Sequence, residues 1–142
     1  MIMTKNYKIL AKYIKDMSSE TPDVETYIFA RDNISNYQLD IKINSKPLKN
    51  RHIEVNTIIK YDDKRDNKKK SYFEIVFATI IKIDESVKEK EKLERIILCE
   101  VQNEIYPYME KCLLDLLHNS GYTNIKLDKK IDFEVLFNQR FN

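Results

Sequence analysis

The sequence predicts an α+β domain in which four antiparallel strands precede a long kinked helix and a short C-terminal helix. Three observations carry that prediction. Between Tyr7 and Ile83, four stretches alternate apolar and polar residues with the period of a strand. Beyond them, apolar side chains at Leu93, Ile97, Val101, Ile105, Met109, Leu113 and Leu117 recur at every fourth position, the signature of a helix with one buried face. The only glycine of the chain, Gly121, falls just past that row, where a helix C-terminus tolerates a left-handed residue at least cost.

Taken in order, Tyr7, Ile9, Ala11 and Tyr13 give the first strand one dominant apolar face. The segment Asp16–Pro22 carries Asp, Ser and Pro, each of which favours a turn, so the strand is expected to end there. Val24–Asn36 reads as irregular. Tyr37–Ile43 alternates without a fault and is the second strand. Pro47 marks a loop, and His52–Tyr61 is the third strand, with Ile53, Val55, Thr57, Ile59 and Tyr61 on one face. Asp62–Lys70 is a charged, solvated connection. The fourth strand, Ser71–Ile83, has Phe73, Ile75, Phe77, Ile81 and Ile83 on one face. Its other face holds Val76, Ala78 and Ile80, too apolar for open water, so both faces want cover.

Ser86 and Glu89 have the spacing of a capping box, so the long helix is expected to begin near Ser86. From there to Asn119 it would span about 50 Å at ~1.5 Å per residue. Pro107 lacks an amide donor and pushes its ring towards the carbonyl of Asn103, which predicts a kink or split. Ile125 and Leu127 tether a linker. Asp132 can cap a last helix, Phe133–Phe141, in which Phe133, Leu136, Phe137 and Phe141 share a face. The order β–β–β–β–α–α makes a meander or Greek key with helices on one side. The apolar stock exceeds what one sheet and one helix face can bury, which points to self-association.

At 142 residues the chain is read as one domain, 1–142, able to fold without disulfide or metal. Cys99 and Cys112 lie about 220° apart around one helix and read as small core residues. No apolar run approaches the ~18 residues of a membrane span, and no cleavable leader is visible, so a cytoplasmic location is expected, without membrane insertion. The 25 basic and 23 acidic residues nearly balance, and a net charge of +2 is too weak by itself to argue for a polyanion partner such as nucleic acid. A nucleic-acid module using Asp62–Lys70 would need a net basic face, which the interleaved aspartates deny. One glycine excludes phosphate-cradling loops. His52 and His118 have no ligand spacing, and no nucleophile motif occurs, so no metal, cofactor or catalytic residue is expected and the chain is not read as an enzyme.

Three motifs carry a resemblance. Tyr13–Pro22 is similar to the first-strand signature of the SecB family, an aromatic residue followed by Lys-Asp, Ser-Phe-Glu and Pro. Ile105–Lys111 looks like its helix motif around Phe-Pro-Tyr, and Ile131–Phe137 matches its C-terminal helix entry. The resemblance covers roughly Tyr7–Phe141. It implies a cytosolic holdase, a dimer of dimers (a homotetramer), that binds unfolded precursor proteins and hands them to the SecA motor. Client-groove positions would be Tyr37, Leu39, Ile41, Phe137 and Phe141. The SecA-binding patch would map to Asp16, Glu20, Tyr72 and Glu74. A chaperone dedicated to one client, such as an antitoxin, is the alternative within the same fold. The chain departs from the family pattern at Ser19, where Phe is usual, at Phe77-Ala78, where a glycine pair is usual, in a pI of about 8.4 where the family is acidic, and in ending at Asn142 without the family's tail. These departures bear on motor docking more than on client binding.

Overall fold

The computed structural model describes residues 6–65, 70–123, 125–127 and 131–140. Four strands, β1 (Tyr7–Glu20), β2 (Gln38–Pro47), β3 (His52–Asp62) and β4 (Tyr72–Ile83), form one antiparallel sheet in the order β1-β4-β3-β2. The hairpins β2–β3–β4 are consecutive, and β1 returns beside β4, the Greek-key arrangement. A helix, α1 (Val24–Asn33), makes the crossover between β1 and β2.

β1 is longer than its sequence suggests. Asp16–Glu20 continues the strand, pairing Met17 with Ile75, Ser19 with Phe73 and Glu20 with Tyr72. Ladder bonds to β4 override the local preference of Asp and Ser for turns, because β propensity yields to pairing context. The register also shifts between Ile9 and Ala11 and again between Ile14 and Asp16. Each extra residue flips the face that the rest of the strand presents. Tyr7 and Ile9 therefore oppose the buried Ile83 and Ile81, whereas Ala11 and Tyr13 oppose Ile80 and Ala78 on the other face. The single apolar face expected for Tyr7–Tyr13 is divided between the two sides of the sheet.

Val24–Asn33 is helical, not irregular. Asp23 is its N-cap, its carboxylate accepting the Thr26 amide at 2.7 Å. β2 runs on through Pro47 as an edge strand, where a missing donor is tolerated. In the β3–β4 connection Asp63 is buried, and its carboxylate accepts from the Arg65 guanidinium at 2.8 and 3.0 Å; that stretch is only partly solvated.

The capping box does not form. Ser86 donates to Asp84 at 2.5 Å, and the helix begins with α2 (Lys90–Arg95) behind Glu89, which makes no side-chain cap bond. A π-helical segment, Ile96–Glu100, joins α2 to α3 (Val101–Asn119). α3 passes unbroken through Pro107, so the helix does not split there. Pro107 and Asn103 are both exposed, where water can take the missing donor's place. The irregularity sits upstream, in the π turn. At the far end the Gly121 amide bonds His118 at 3.1 Å and the Tyr122 amide bonds Leu117 at 2.9 Å, a Schellman cap with Gly121 at φ +100°.

The odd-numbered residues of β3 and β4 (Val55, Ile59, Phe73, Ile75, Phe77, Ile81) pack with Ile97, Val101, Ile105, Met109, Leu113 and Leu117 in one core. The helices therefore cover one side of the sheet. On the opposite side Val76 and Ile80 are half-buried, and the Lys15 ammonium reaches across β4 to Glu54 on β3 at 2.5 Å. The last helix, α4 (Phe133–Arg140), is capped by Asp132, whose carboxylate accepts the Val135 amide at 3.2 Å. Phe133 and Phe137 are buried while Leu136 is 46% exposed, so Leu136 lies off the face it was expected to share.

Candidate functional site

α4 sits away from the main core. Phe133 and Phe137, one turn apart, form a second cluster with Cys99, and Ile41, Ile43, Leu98, Tyr106 and Ile131 pack against it. The π turn presents Leu98 and Cys99 to α4 while Ile96 and Ile97 stay in the interior. A turn of five residues rotates the side chains that precede it relative to an α-helix, and its loosened carbonyl needs a donor. Gln102 meets that need. Its buried Nε2 donates to the Ile97 carbonyl at 3.2 Å, and its Oε1 accepts from Thr57 Oγ1 of β3 at 2.9 Å.

Polar contacts fasten the outside of the cluster. Glu134 of α4 accepts from Arg95 at 2.5 Å and from the Cys99 thiol at 3.3 Å. The Arg95 guanidinium also lies 5.7 Å from the centre of the Phe137 ring. Arg95 holds Glu134 below the usual carboxylate range. Burial first, and the Glu134 carboxylate second, push the Cys99 thiol up to about 11, so it is protonated and inert. Tyr106, edge-on to Phe133 at 5.7 Å, is pushed up to about 12, mainly by burial. Beside the cluster a cavity of about 290 Å³ opens between Ile43–Ser45 of β2 and Ile97-Leu98, with Glu94 at its edge.

The sequence-selected groove residues are placed unequally. Ile41 and Phe137 come together in this second cluster. Leu39, on the same face of β2, is half-buried against the main core. Tyr37 is fully enclosed: its hydroxyl donates to the Ser71 carbonyl and accepts the Ser71 amide, both at 3.0 Å, and burial pushes it up to about 12. Phe141 lies outside the described residues. Ile43, Leu98, Cys99 and Tyr106 were missed as groove neighbours. The alternation of β2 continues to Ile43 and could have supplied that one; the other three depend on the π turn.

Asp16, Glu20, Tyr72 and Glu74 share the helix-free face of the sheet. Asp16 opposes Val76, Glu20 opposes Tyr72, and Tyr72, Glu74 and Val76 alternate along β4. Tyr72 donates its hydroxyl to Glu74, and Lys60 of β3 is directly opposite Glu74. α1 adds an apolar surface that the alternation pattern does not reveal, with Val24 68%, Ile28 45% and Phe29 38% exposed. Pro22-Asp23 ahead of Glu25 was the available helix-start signal.

Comparison with known proteins matches the chain, over residues 3–142, to the family described as preprotein translocase subunit SecB. A Pelagibacter ubique protein, provisionally named protein-export protein SecB, is 56% identical over 140 residues, covering 99% of this chain and all of the relative. The protein-export protein SecB of Xanthobacter autotrophicus is 30% identical over 93% of this chain and 83% of its own. Among solved structures, a SecB-like chaperone of Mycobacterium tuberculosis, in complex with a peptide from an antitoxin, superimposes with a TM-score of 0.67. It is 13% identical, over 89% of this chain and 88% of that one, which is a likeness of fold.

Proposed function

The chain belongs to the SecB family, and from that premise we propose that it is a holdase chaperone that binds unfolded precursor polypeptides and delivers them to the SecA motor for export. One observation carries the client-binding part. Ile41 of β2 and Phe137 of α4 meet in an apolar cluster separate from the main core, beside an open cavity. Apolar and aromatic walls without a fixed polar constellation suit segments of many sequences, since shape-tolerant contacts do not select one side chain. The family resemblance also assigns Leu39, on the same face of β2, and Phe141 to this groove, and Tyr37 holds the start of β2 from beneath.

SecA docks, in this reading, on the sheet face that carries Asp16, Glu20, Tyr72 and Glu74. The half-buried Val76 and Ile80 on that face are consistent with a homotetramer, the state in which the cytoplasmic chaperone acts. A chaperone dedicated to one client is the second reading, in line with the antitoxin peptide bound by the M. tuberculosis relative in fold.

The test is dilution of a denatured precursor into buffer with and without the protein, with aggregation followed by light scattering. Suppression near one tetramer per client, shared by unrelated precursors, supports the general holdase; suppression for a single client supports the dedicated reading. Leu39→Asp with Phe141→Asp should abolish holding, because a carboxylate would be desolvated wherever a client side chain docks. Full holding by a double variant with an unchanged circular dichroism melt refutes the groove. Glu74→Lys should weaken SecA binding while holding persists, and equal binding by both proteins removes the patch.

A further inference from the structure

At the end of the sheet remote from Glu20 and Tyr72, a cleft of about 550 Å³ opens where β1 begins and β4 ends. Its charged lining consists of Lys8, Arg51, Lys82, Asp84 and Glu85. Lys8 and Lys82 are directly opposite each other across the β1–β4 ladder, and His52 of β3 is directly opposite Lys82 in turn. Two like charges facing each other on neighbouring strands destabilise a sheet, yet both lysines are exposed and neither forms an ion pair among the described residues.

Arg51 and Asp84 are held in place by neighbouring backbone and hydroxyl groups. Arg51 donates to the carbonyls of Ile83 at 3.2 Å and of Asp84 and Val87 at 2.7 Å. The Asp84 carboxylate accepts the Ser86 amide at 3.2 Å and the Ser86 hydroxyl at 2.5 Å. The cleft thus carries three cations, Lys8, Arg51 and Lys82, against the two exposed carboxylates of Asp84 and Glu85, and the opposed ammonium groups of Lys8 and Lys82 are the two that no hydrogen bond among the described residues holds in place.

We propose that this cleft binds a phosphate group between Lys8 and Lys82, either inorganic phosphate or the phosphate of a nucleotide. A tetrahedral dianion can accept from both ammonium groups at once and turns their repulsion into two charge-assisted contacts. The cleft volume falls in the range of small-molecule sites, so a phosphate carrying a further group also fits. The proposal is independent of client binding, which involves the opposite edge strand, β2.

The experiment measures phosphate binding by calorimetry, and thermal unfolding in phosphate against chloride at equal ionic strength, with the full chain. A single saturable site is expected, together with a melting temperature that rises with phosphate concentration. Lys82→Gln should weaken binding by about tenfold or more, one charge-assisted contact being lost. In phosphate-free buffer the same variant should melt higher than the parent, because the opposed charges are gone. Lys42→Gln, which removes an exposed charge from β2, should bind phosphate as the parent does. Adenosine monophosphate binding more tightly than inorganic phosphate identifies a nucleotide site, and the reverse order identifies the free ion. Absence of saturable binding up to ~10 mM phosphate overturns the proposal, as does equal weakening by Lys42→Gln, which would mark binding by general charge alone.

Discussion

Replacing Phe137 by alanine should release α4 without unfolding the rest of the protein. α4 has eight residues, too short to be stable alone in water, so its helix persists only while docked. Docking rests on two buried rings, Phe133 at 1% and Phe137 at 6% exposure, and on the Arg95–Glu134 contact at 2.5 Å. Removing a buried phenylalanine ring costs about 3–5 kcal/mol where the site cannot collapse. Here the loss is capped by the docking energy of α4, because the helix can leave and the main core does not share the ring. Even ~3 kcal/mol multiplies the undocked population by about 150. Cys99 reports that population: it is 1% exposed beneath α4 and pushed up to about 11 by burial and Glu134. Undocking both uncovers the thiol and returns it towards its ordinary range. In a Cys112→Ser background, labelling by a thiol-specific disulfide reagent at pH 8 should therefore accelerate by about 100-fold or more in Phe137→Ala. The main circular dichroism melt should move by only a few degrees. Unchanged labelling would refute the reasoning, and labelling that accelerates only in step with global unfolding would show that α4 and the core are one cooperative unit.

The remaining predictions concern how the site is supported. Gln102→Leu should destabilise by about 2 kcal/mol, since it strands the Thr57 hydroxyl and the Ile97 carbonyl, and adding Thr57→Val should recover part of the loss in a urea-unfolding cycle. Gly121→Ala should cost about 1–3 kcal/mol, because φ is +100° and a new Cβ would stand 2.9 Å from Tyr27 Cε1; the melting midpoint measures it, and a neutral outcome would refute the backbone-strain argument at this position. The Arg65 guanidinium beside Asp63 holds that carboxyl below the usual carboxylate range. A depressed carboxylate stabilises the fold above its unfolded-state pKa and loses that contribution as pH falls through its lower folded-state value. Arg65→Gln should therefore move the midpoint of acid unfolding to higher pH, and an unmoved midpoint would show that the pair contributes nothing.

Much of the architecture is legible in local pattern. The alternation of β2, β3 and β4 and the four-residue rhythm of Leu93–Leu117 survive in the structure because each encodes one buried face. Asp132 capping α4 and Gly121 closing α3 are likewise local, since both act through backbone groups three to five residues away. The length of β1 is not local: Asp16–Glu20 is extended because Tyr72–Val76 supplies its ladder partners. Its bulges, which send Tyr13 to the face opposite Tyr7, leave no mark in the alternation because lysines and aromatics fit either side. Tyr37 reads like its neighbours in β2, and only distant partners, the Ser71 backbone and the rings of Tyr61 and Phe73, enclose it. The sequence alone therefore determined strands β2 to β4, the long helix, α4, the family resemblance and a strand face containing Ile41, but not α1 or the extent of β1. Tertiary structure decided that a π turn, stabilised by Gln102 bridging to Thr57, brings Leu98 and Cys99 under Phe137, because a one-residue change in helical register is stabilised only by contacts made across the fold.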